Sequence, residues 1–295
     1  MNKQADNLRI LAQQMKNNLQ AKITGRDKLT RVITVTSGKG GVGKTNFSVN
    51  LALALSELKQ KVILLDADLG LANIDVILGL STPYNLAHVI YGEKTIPEII
   101  CEGPRGLKII PGGSGMQELA NLKDWQVENF LTKLSHLEGL ADYLIIDTGA
   151  GLAKSVQSFS LAADEVIIVT TTEPTAITDA YGLIKTIKQQ RYSGKIQVVV
   201  NRANTAADAY VVFFKLKVAV NKFLDHKIEF LGSIRDDLKV SQAVKEQQPF
   251  IISYPTCKAS QDIYQLASSL SKQDYNPENN SGVKAFFNRV TEYFR

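Results

Sequence analysis

The sequence predicts an α/β fold: a mostly parallel, twisted sheet of about seven or eight strands with helices on both faces. Two observations carry this. Short Val/Ile/Leu runs alternate with amphipathic stretches from residue 29 to residue 270, and a glycine-rich loop directly follows the first run. The runs are Arg31–Thr36, Val62–Asp66, Leu107–Ile110, Tyr143–Asp147, Glu165–Thr170, Ile196–Val200 and Glu229–Leu231. Most are apolar at consecutive positions, as strands buried on both faces should be. Between them, Asn46–Leu58, Trp125–Leu137, Ile177–Gln190 and Asp208–Leu224 read as helices. Parallel neighbours need crossovers of this length, and those crossovers should be right-handed.

The chain ends differ in composition from this 29–270 domain. Residues 1–28 form an arm rich in Gln, Asn and Lys, 271–281 (SKQDYNPENNS) is a polar linker, and 282–295 regains helical periodicity. At 295 residues, 44% hydrophobic and 21% charged, the chain can bury a sizeable core and is no disordered tail protein. No apolar run approaches the ~18 residues of a spanning helix. The polar start MNKQADNLRI has no apolar signal core, so the expected compartment is the cytoplasm. Two distant cysteines, Cys101 and Cys257, exclude a disulfide framework and a four-cysteine metal site within one chain. The net charge of +5 is localised: residues 1–31 hold seven basic side chains against two acidic ones, the whole excess. The remainder balances to zero, so direct DNA binding is not expected.

The strongest local signal is Ser37-Gly38-Lys39-Gly40-Gly41-Val42-Gly43-Lys44-Thr45, between the strand VITVT and the stretch NFSVNLALALSEL. It fits G-x-x-x-x-G-K-[ST] in the strand–loop–helix context that the motif requires. Glycines let backbone N–H groups curl around phosphate oxygens, and the following helix N-terminus adds its dipole. Lys44 should reach the β- and γ-phosphates, and the Thr45 hydroxyl should ligate Mg²⁺. Two other strands end in carboxylates, at Asp66-Ala67-Asp68 and at Asp147-Thr148-Gly149-Ala150-Gly151. Ligands of open α/β sheets bind outside the carboxyl ends of strands. Mg²⁺ takes hard oxygen ligands and keeps several waters, so one carboxylate per strand, acting through water, suits it.

With lysine at its second position, the octapeptide Gly38–Thr45 resembles the deviant Walker A motif of the MinD/ParA ATPases, a SIMIBI-like class of P-loop NTPases. The resemblance covers roughly residues 30–270. It implies ATP and Mg²⁺ as cofactors, hydrolysis of ATP to ADP and phosphate, and a homodimer in the ATP-bound state. Lys39 would cross the dimer interface to the partner's nucleotide. Gly38, Gly40, Gly41, Val42 and Gly43 would line the phosphates beside the catalytic Lys39 and Lys44. Asp68 would polarise the attacking water. Asp66 would support Lys44 and the metal's hydration shell, and Asp147 matches the Walker B aspartate; both would reach the metal through water. Asn73 and Asp75 match positions near switch I, and Gly149 and Gly151 would let switch II move with the γ-phosphate. Glu173 matches a glutamate near the crossing lysine, and Asp179 an aspartate near partner surfaces. Asn201 resembles the asparagine that reads adenine. Arg202 and the segment from Gly232 to Asp237 would flank the base, though Arg235 stands where the related loop usually has proline.

Both chain ends sharpen this. Val283, Phe286, Phe287, Val290 and Phe294 form one apolar helical face, with Lys284, Arg289 and Arg295 off it. Such a helix suits an anionic membrane surface, or a groove on its own domain. In the arm, Leu8, Leu11, Met15 and Leu19 share helical spacing. The arm's Gln4-Ala5-Asp6-Asn7-Leu8-Arg9 resembles the D-Q-A-x-x-L-R activator motif of the FlhG (YlxH, FleN) branch of MinD-like ATPases, with Lys3 replacing the aspartate. That branch controls flagellar number and placement. The resemblance implies that Gln4, with Leu8 and Arg9, stimulates the GTPase FlhF. Further implied partners are flagellar C-ring proteins and a flagellar transcription activator. The implied location is peripheral, at the inner face of the cell membrane, including a pole. The alternatives on the core alone are a MinD-type division-site ATPase and a ParA-type DNA- or cargo-positioning ATPase.

Overall fold

The computed structural model describes residues 29–68, 73–113, 124–135, 137–275 and 281–294. The N-terminal arm, with Gln4, Leu8 and Arg9, lies outside the described residues. Eight strands form one sheet: β1 (Arg31–Ser37), β2 (Val62–Ala67), β3 (Cys101–Glu102), β4 (Lys108–Ile110), β5 (Tyr143–Ala150), β6 (Glu165–Thr171), β7 (Lys195–Ala203) and β8 (Glu229–Arg235). Their order is β3-β4-β2-β5-β1-β6-β7-β8. Every neighbouring pair is parallel except β3 with β4. The antiparallel edge follows from a tight reversal. Gly103 and the 3-10 turn Pro104–Gly106 fold the chain back, and Gly103 N donates to Leu107 O at 2.7 Å.

The helices are α1 (Lys44–Glu57), α2 (Ile74–Leu78), α3 (Leu86–Ile90), α4 (Ile96–Ile99), α5 (Asp124–Ser135), α6 (Lys154–Ala162), α7 (Pro174–Gln189), α8 (Ala206–Leu224), α9 (Leu238–Lys245), α10 (Phe250–Ser253), α11 (Lys258–Lys272) and α12 (Val283–Phe294). The predicted strands and long helices all recur, with ends shifted by a few residues. Two long helices were not anticipated. α6 is serine-rich (KSVQSFSLA), which dilutes its periodicity. α11 was legible, because Ile263, Leu266, Ala267 and Leu270 repeat at helical spacing.

Side chains alternate along each strand and build a core on either face. Val32, Ile63, Leu65, Leu144 and Ile146 face one core; Ile33, Val35, Leu64 and Ile145 face the other. α1 is buried nearly all round because it lies between the sheet and α11. Its Asn50 side chain is satisfied inside that layer, accepting from Ile251 N at 3.0 Å and donating to Asn46 O at 2.7 Å.

The C-terminal helix is docked on its own domain, one of the two places its apolar face allows. Its apolar face is not presented to solvent or membrane. Val283, Phe286, Phe287 and Val290 are all buried, packed on α6 and α5. Phe286 stacks on Phe159 of α6, with ring centroids 6.2 Å apart. Arg289 donates to Ala162 O at the end of α6 and reaches Asp164 at 3.4 Å. The Asp164 carboxylate also accepts from Val32 N, Tyr275 Oη and Gly282 N. Each Val or Phe buried in this way contributes ~1.5–3 kcal/mol to the docking. The side chain of Phe294 lies outside the described residues.

Candidate nucleotide-binding site

β1 lies between β5 and β6, and the loop leaving its carboxyl end wraps onto the N-terminus of α1. Two close approaches fix this loop's shape. Gly43 has φ of 91°, and a Cβ there would stand 2.5 Å from Asn201 Nδ2. A Cβ on Gly38 would stand 2.2 Å from the backbone of Asp179 in α7. Only glycine lets strand, loop and helix meet so closely. Lys44 is buried, and Thr45 is half-buried beside it.

The carboxylates predicted on two strands come together here. Asp66 and Asp147 are registered opposite each other on β2 and β5, and Asp147 also faces Val35 of β1. Both are buried. Burial is the main force raising Asp147, to about 6, against the Ser48 hydrogen bond and the nearby Thr45 and Lys44. Burial, followed by the Asp147 charge, raises Asp66 to about 7, against bonds from the backbone N–H groups of Asp68 and Ile74. Ser48 Oγ donates to Asp147 Oδ1 at 2.7 Å, while Asp147 Oδ2 is buried and has no hydrogen-bond partner among the described residues. A hard cation suits this arrangement, because it would stabilise two carboxylates that burial disfavours. Among the described residues no three His, Cys, Asp or Glu side chains cluster as a metal site. An ion would therefore also draw on the Thr45 hydroxyl, phosphate and water. Ser48 was not anticipated; its signal is its place one helical turn after Lys44, on the same face.

The other predicted switch residues converge on the same edge. Asp68 is half-buried and its carboxylate lies against the end of β5: a Cβ on Gly149 would be 3.3 Å from Asp68 Oδ1. Gly151 N donates to Ser37 O at 2.8 Å, tying the loop after β5 to the phosphate loop. Asn73 precedes α2 as its cap residue and is exposed. Glu173 occupies the cap position of α7 but makes no capping bond. Its Oε2 instead accepts from Lys39 Nζ at 2.9 Å, and Thr175 Oγ1 accepts from the same ammonium at 3.0 Å.

Comparison with known proteins agrees with this architecture. Residues 28–271 match the ParA family, described as NUBPL iron-transfer P-loop NTPase. The antiactivator FleN of Pseudomonas aeruginosa is 41% identical over 257 residues, 87% of this chain and 91% of that protein. The flagellum site-determining protein YlxH of Helicobacter pylori is 38% identical over 269 residues, 90% of each chain. The septum site-determining protein MinD of Pyrococcus horikoshii, solved with Mg-ADP, superposes with a TM-score of 0.66 at 25% identity, covering 83% of this chain and 97% of that one. The chain belongs to the ParA/MinD family of P-loop NTPases, in its FlhG (FleN, YlxH) branch.

Two residues of the expected base pocket have partners within the fold. The Asn201 amide, expected at the adenine, is turned onto the phosphate loop. Its Nδ2 donates to Val42 O at 2.8 Å and its Oδ1 accepts from Arg202 N at 2.9 Å. Arg235, expected beside the base, is bound to the fold. Its guanidinium makes a bidentate pair with Asp262 of α11 at 2.8–3.1 Å, and its N–H bonds the same carboxylate. Asp262 is 27 residues beyond Arg235, so the strand sequence gave no sign of the pairing. Arg202 is exposed at the carboxyl end of β7, with φ of 52°.

Proposed function

We propose that this protein is an ATP-driven, dimerising MinD-like switch that controls flagellar number and placement. The observation that carries the ATPase part is the buried Asp66–Asp147 pair set against Lys44, Thr45 and the phosphate loop. ATP would lie on that loop, with Lys44 on its phosphates. Mg²⁺, held by Thr45 and through water by Asp66 and Asp147, would neutralise charge on the β- and γ-phosphates. Asp68 is the residue for orienting the attacking water, and its contact with Gly149 supports a link between hydrolysis and switch II. Lys39 would leave Glu173 and cross to the nucleotide of a second copy. The flagellar role is supported by the names of the FleN and YlxH relatives and by the motif at Gln4, Leu8 and Arg9. Its partners would be FlhF, C-ring proteins and a flagellar transcription activator.

Membrane association requires α12 to exchange sites, because one apolar face cannot fill its groove and a bilayer together. Among the described residues no helix is long and apolar enough to cross a membrane. α6, which floors the groove, follows directly on the switch II loop. A nucleotide-driven shift of that loop would therefore move the groove as well. Two released helices on one dimer would bind an anionic surface far better than one.

The test is ATP turnover and co-sedimentation with anionic vesicles, for the full chain with ATP or ADP, beside Lys44→Ala and Asp68→Ala. We expect slow turnover that both substitutions abolish, and vesicle binding with ATP but not ADP. A protein that binds no ATP in the presence of Mg²⁺ would sink the reading. The flagellar part is tested by FlhF GTPase activity with a peptide of residues 1–23 and its Gln4→Ala form. Stimulation by the first alone is expected, and none by either returns the protein to the division-site or cargo-positioning alternatives.

A further inference from the structure

We propose that Glu138 latches the two ends of the chain to each other, so that freeing the C-terminal helix also loosens the root of the N-terminal arm, and the reverse. The latch itself stands on geometry. Its use rests on the reading that α12 meets a membrane and the arm a partner protein.

Glu138 lies in the turn between α5 and β5, and its two carboxylate oxygens serve different ends. Oε1 accepts from Thr30 N at 2.8 Å, where the arm joins the sheet. Oε2 accepts from Lys284 N at 3.2 Å, in the first turn of α12. The approach is close: Gly282 has φ of 93°, and a Cβ on it would stand 2.6 Å from Oε2. A helix start leaves N–H groups without intrahelical partners and favours negative charge. α12 has no acidic residue in its own first turn, so Glu138 supplies that charge from 146 residues earlier.

The same turn grips the root of the arm by its side chain. The buried Thr30 Oγ1 donates to Ala141 O at 2.8 Å and accepts from Gly139 N at 3.2 Å. A second carboxylate repeats the bridge further in: Asp164 Oδ2 accepts from Val32 N at 3.1 Å and from Gly282 N at 3.4 Å. That bridge ends on β1, a strand paired on both sides, and gives α12 a fixed reference. The Glu138 bridge ends on the residue before β1, at the root of the arm.

A carboxylate held at one oxygen is already oriented for the other, so each bond prepares the next. The two ends therefore dock cooperatively, and such coupling is reciprocal. A membrane that draws α12 from its groove leaves the arm easier for a partner to take up. A partner that pulls on the arm eases α12 out. Contact with that partner is thereby biased towards protein already at the membrane.

Hydrogen exchange at single amides of the full, nucleotide-free chain tests this. Arg289→Ala loosens α12 from further along the helix, and should speed exchange at Thr30 N by about two- to tenfold. Thr30→Val removes the hydroxyl bonds of the root, and should speed exchange at Lys284 N by a similar factor. In a Glu138→Ala background neither substitution should move the far amide. Anionic vesicles with Mg-ATP should speed Thr30 exchange in the natural chain and add nothing in Glu138→Ala. Far amides that stay unmoved in both single variants overturn the latch. Effects that persist without Glu138 overturn it as well, since the coupling then runs by another route. A natural chain that binds no anionic vesicles removes the membrane use, and the far-amide rates of the variants then decide alone whether the latch exists.

Discussion

Asp66 and Asp147 stand opposite each other across the β2–β5 ladder, 3% and 1% exposed, and after burial the Asp147 charge adds to the cost of ionising Asp66. Ordinary carboxyls would both be ionised at neutral pH. Here burial pushes Asp66 to about 7 and Asp147 to about 6. The pair is a site of unfavourable charge that a bound cation relieves.

Asp147→Asn should remove the metal dependence of nucleotide binding while sparing the fold. The asparagine can still accept from Ser48, and the like charge facing Asp66 is gone. The gain in nucleotide affinity on adding Mg²⁺ should fall by about tenfold or more, measured by titration calorimetry. Thermal unfolding of the nucleotide-free variant should occur no lower than in the natural chain.

The same pair sets a pH dependence. Both folded-state values are raised above the unfolded value of 3.8. Between pH 4 and 7 the folded state therefore binds more protons than the unfolded one, and stability falls as pH rises. Their contribution is fully present below about pH 4 and lost by about pH 7. Binding of Mg²⁺ with nucleotide at pH 6 should release protons, seen as buffer-dependent calorimetric heats. Heats that do not vary with buffer would refute the assignment.

Arg289→Ala should loosen α12 without touching its apolar face. The substitution removes the bonds to Ala162 O and Asp164. Bonds of this charged type contribute ~1.5–3 kcal/mol, so the undocked population should rise by at least tenfold. Hydrogen exchange over 283–294 reads this directly, and nucleotide-free vesicle binding should rise in step.

Arg235→Ala should act on stability alone. It leaves Asp262, 7% exposed, without its guanidinium partner. A cost of about 1–3 kcal/mol is expected in denaturant unfolding, with ADP affinity within about twofold of the natural chain. A larger loss of affinity would return Arg235 to the base pocket.

Much of the site was legible because its parts are local. The phosphate loop is a contiguous octapeptide whose neighbours are a strand and a helix, and it needs no tertiary information. Asp66, Asp68 and Asp147 could be found because strand ends are visible as the limits of apolar runs, and parallel strands gather those ends on one edge. Less legible were the contacts of residues with distant partners. Asn201 and Arg235 each sit correctly at a strand end, but what their side chains meet is set by Val42 and Asp262, 159 and 27 residues away.

The sequence by itself determined the parallel α/β sheet, the phosphate loop and the carboxylates around it, because period, loop chemistry and strand termini are written in neighbouring residues. Only the tertiary structure decided where the amphipathic C-terminal face goes. Periodicity says that Val283, Phe286, Phe287 and Val290 will be buried together, but hydrophobic burial has no direction. A bilayer and a groove satisfy it equally in the sequence. In the structure the face lies in the groove, where Phe159, Ala162 and Asp164, more than a hundred residues earlier, supply an apolar floor and a partner for Arg289.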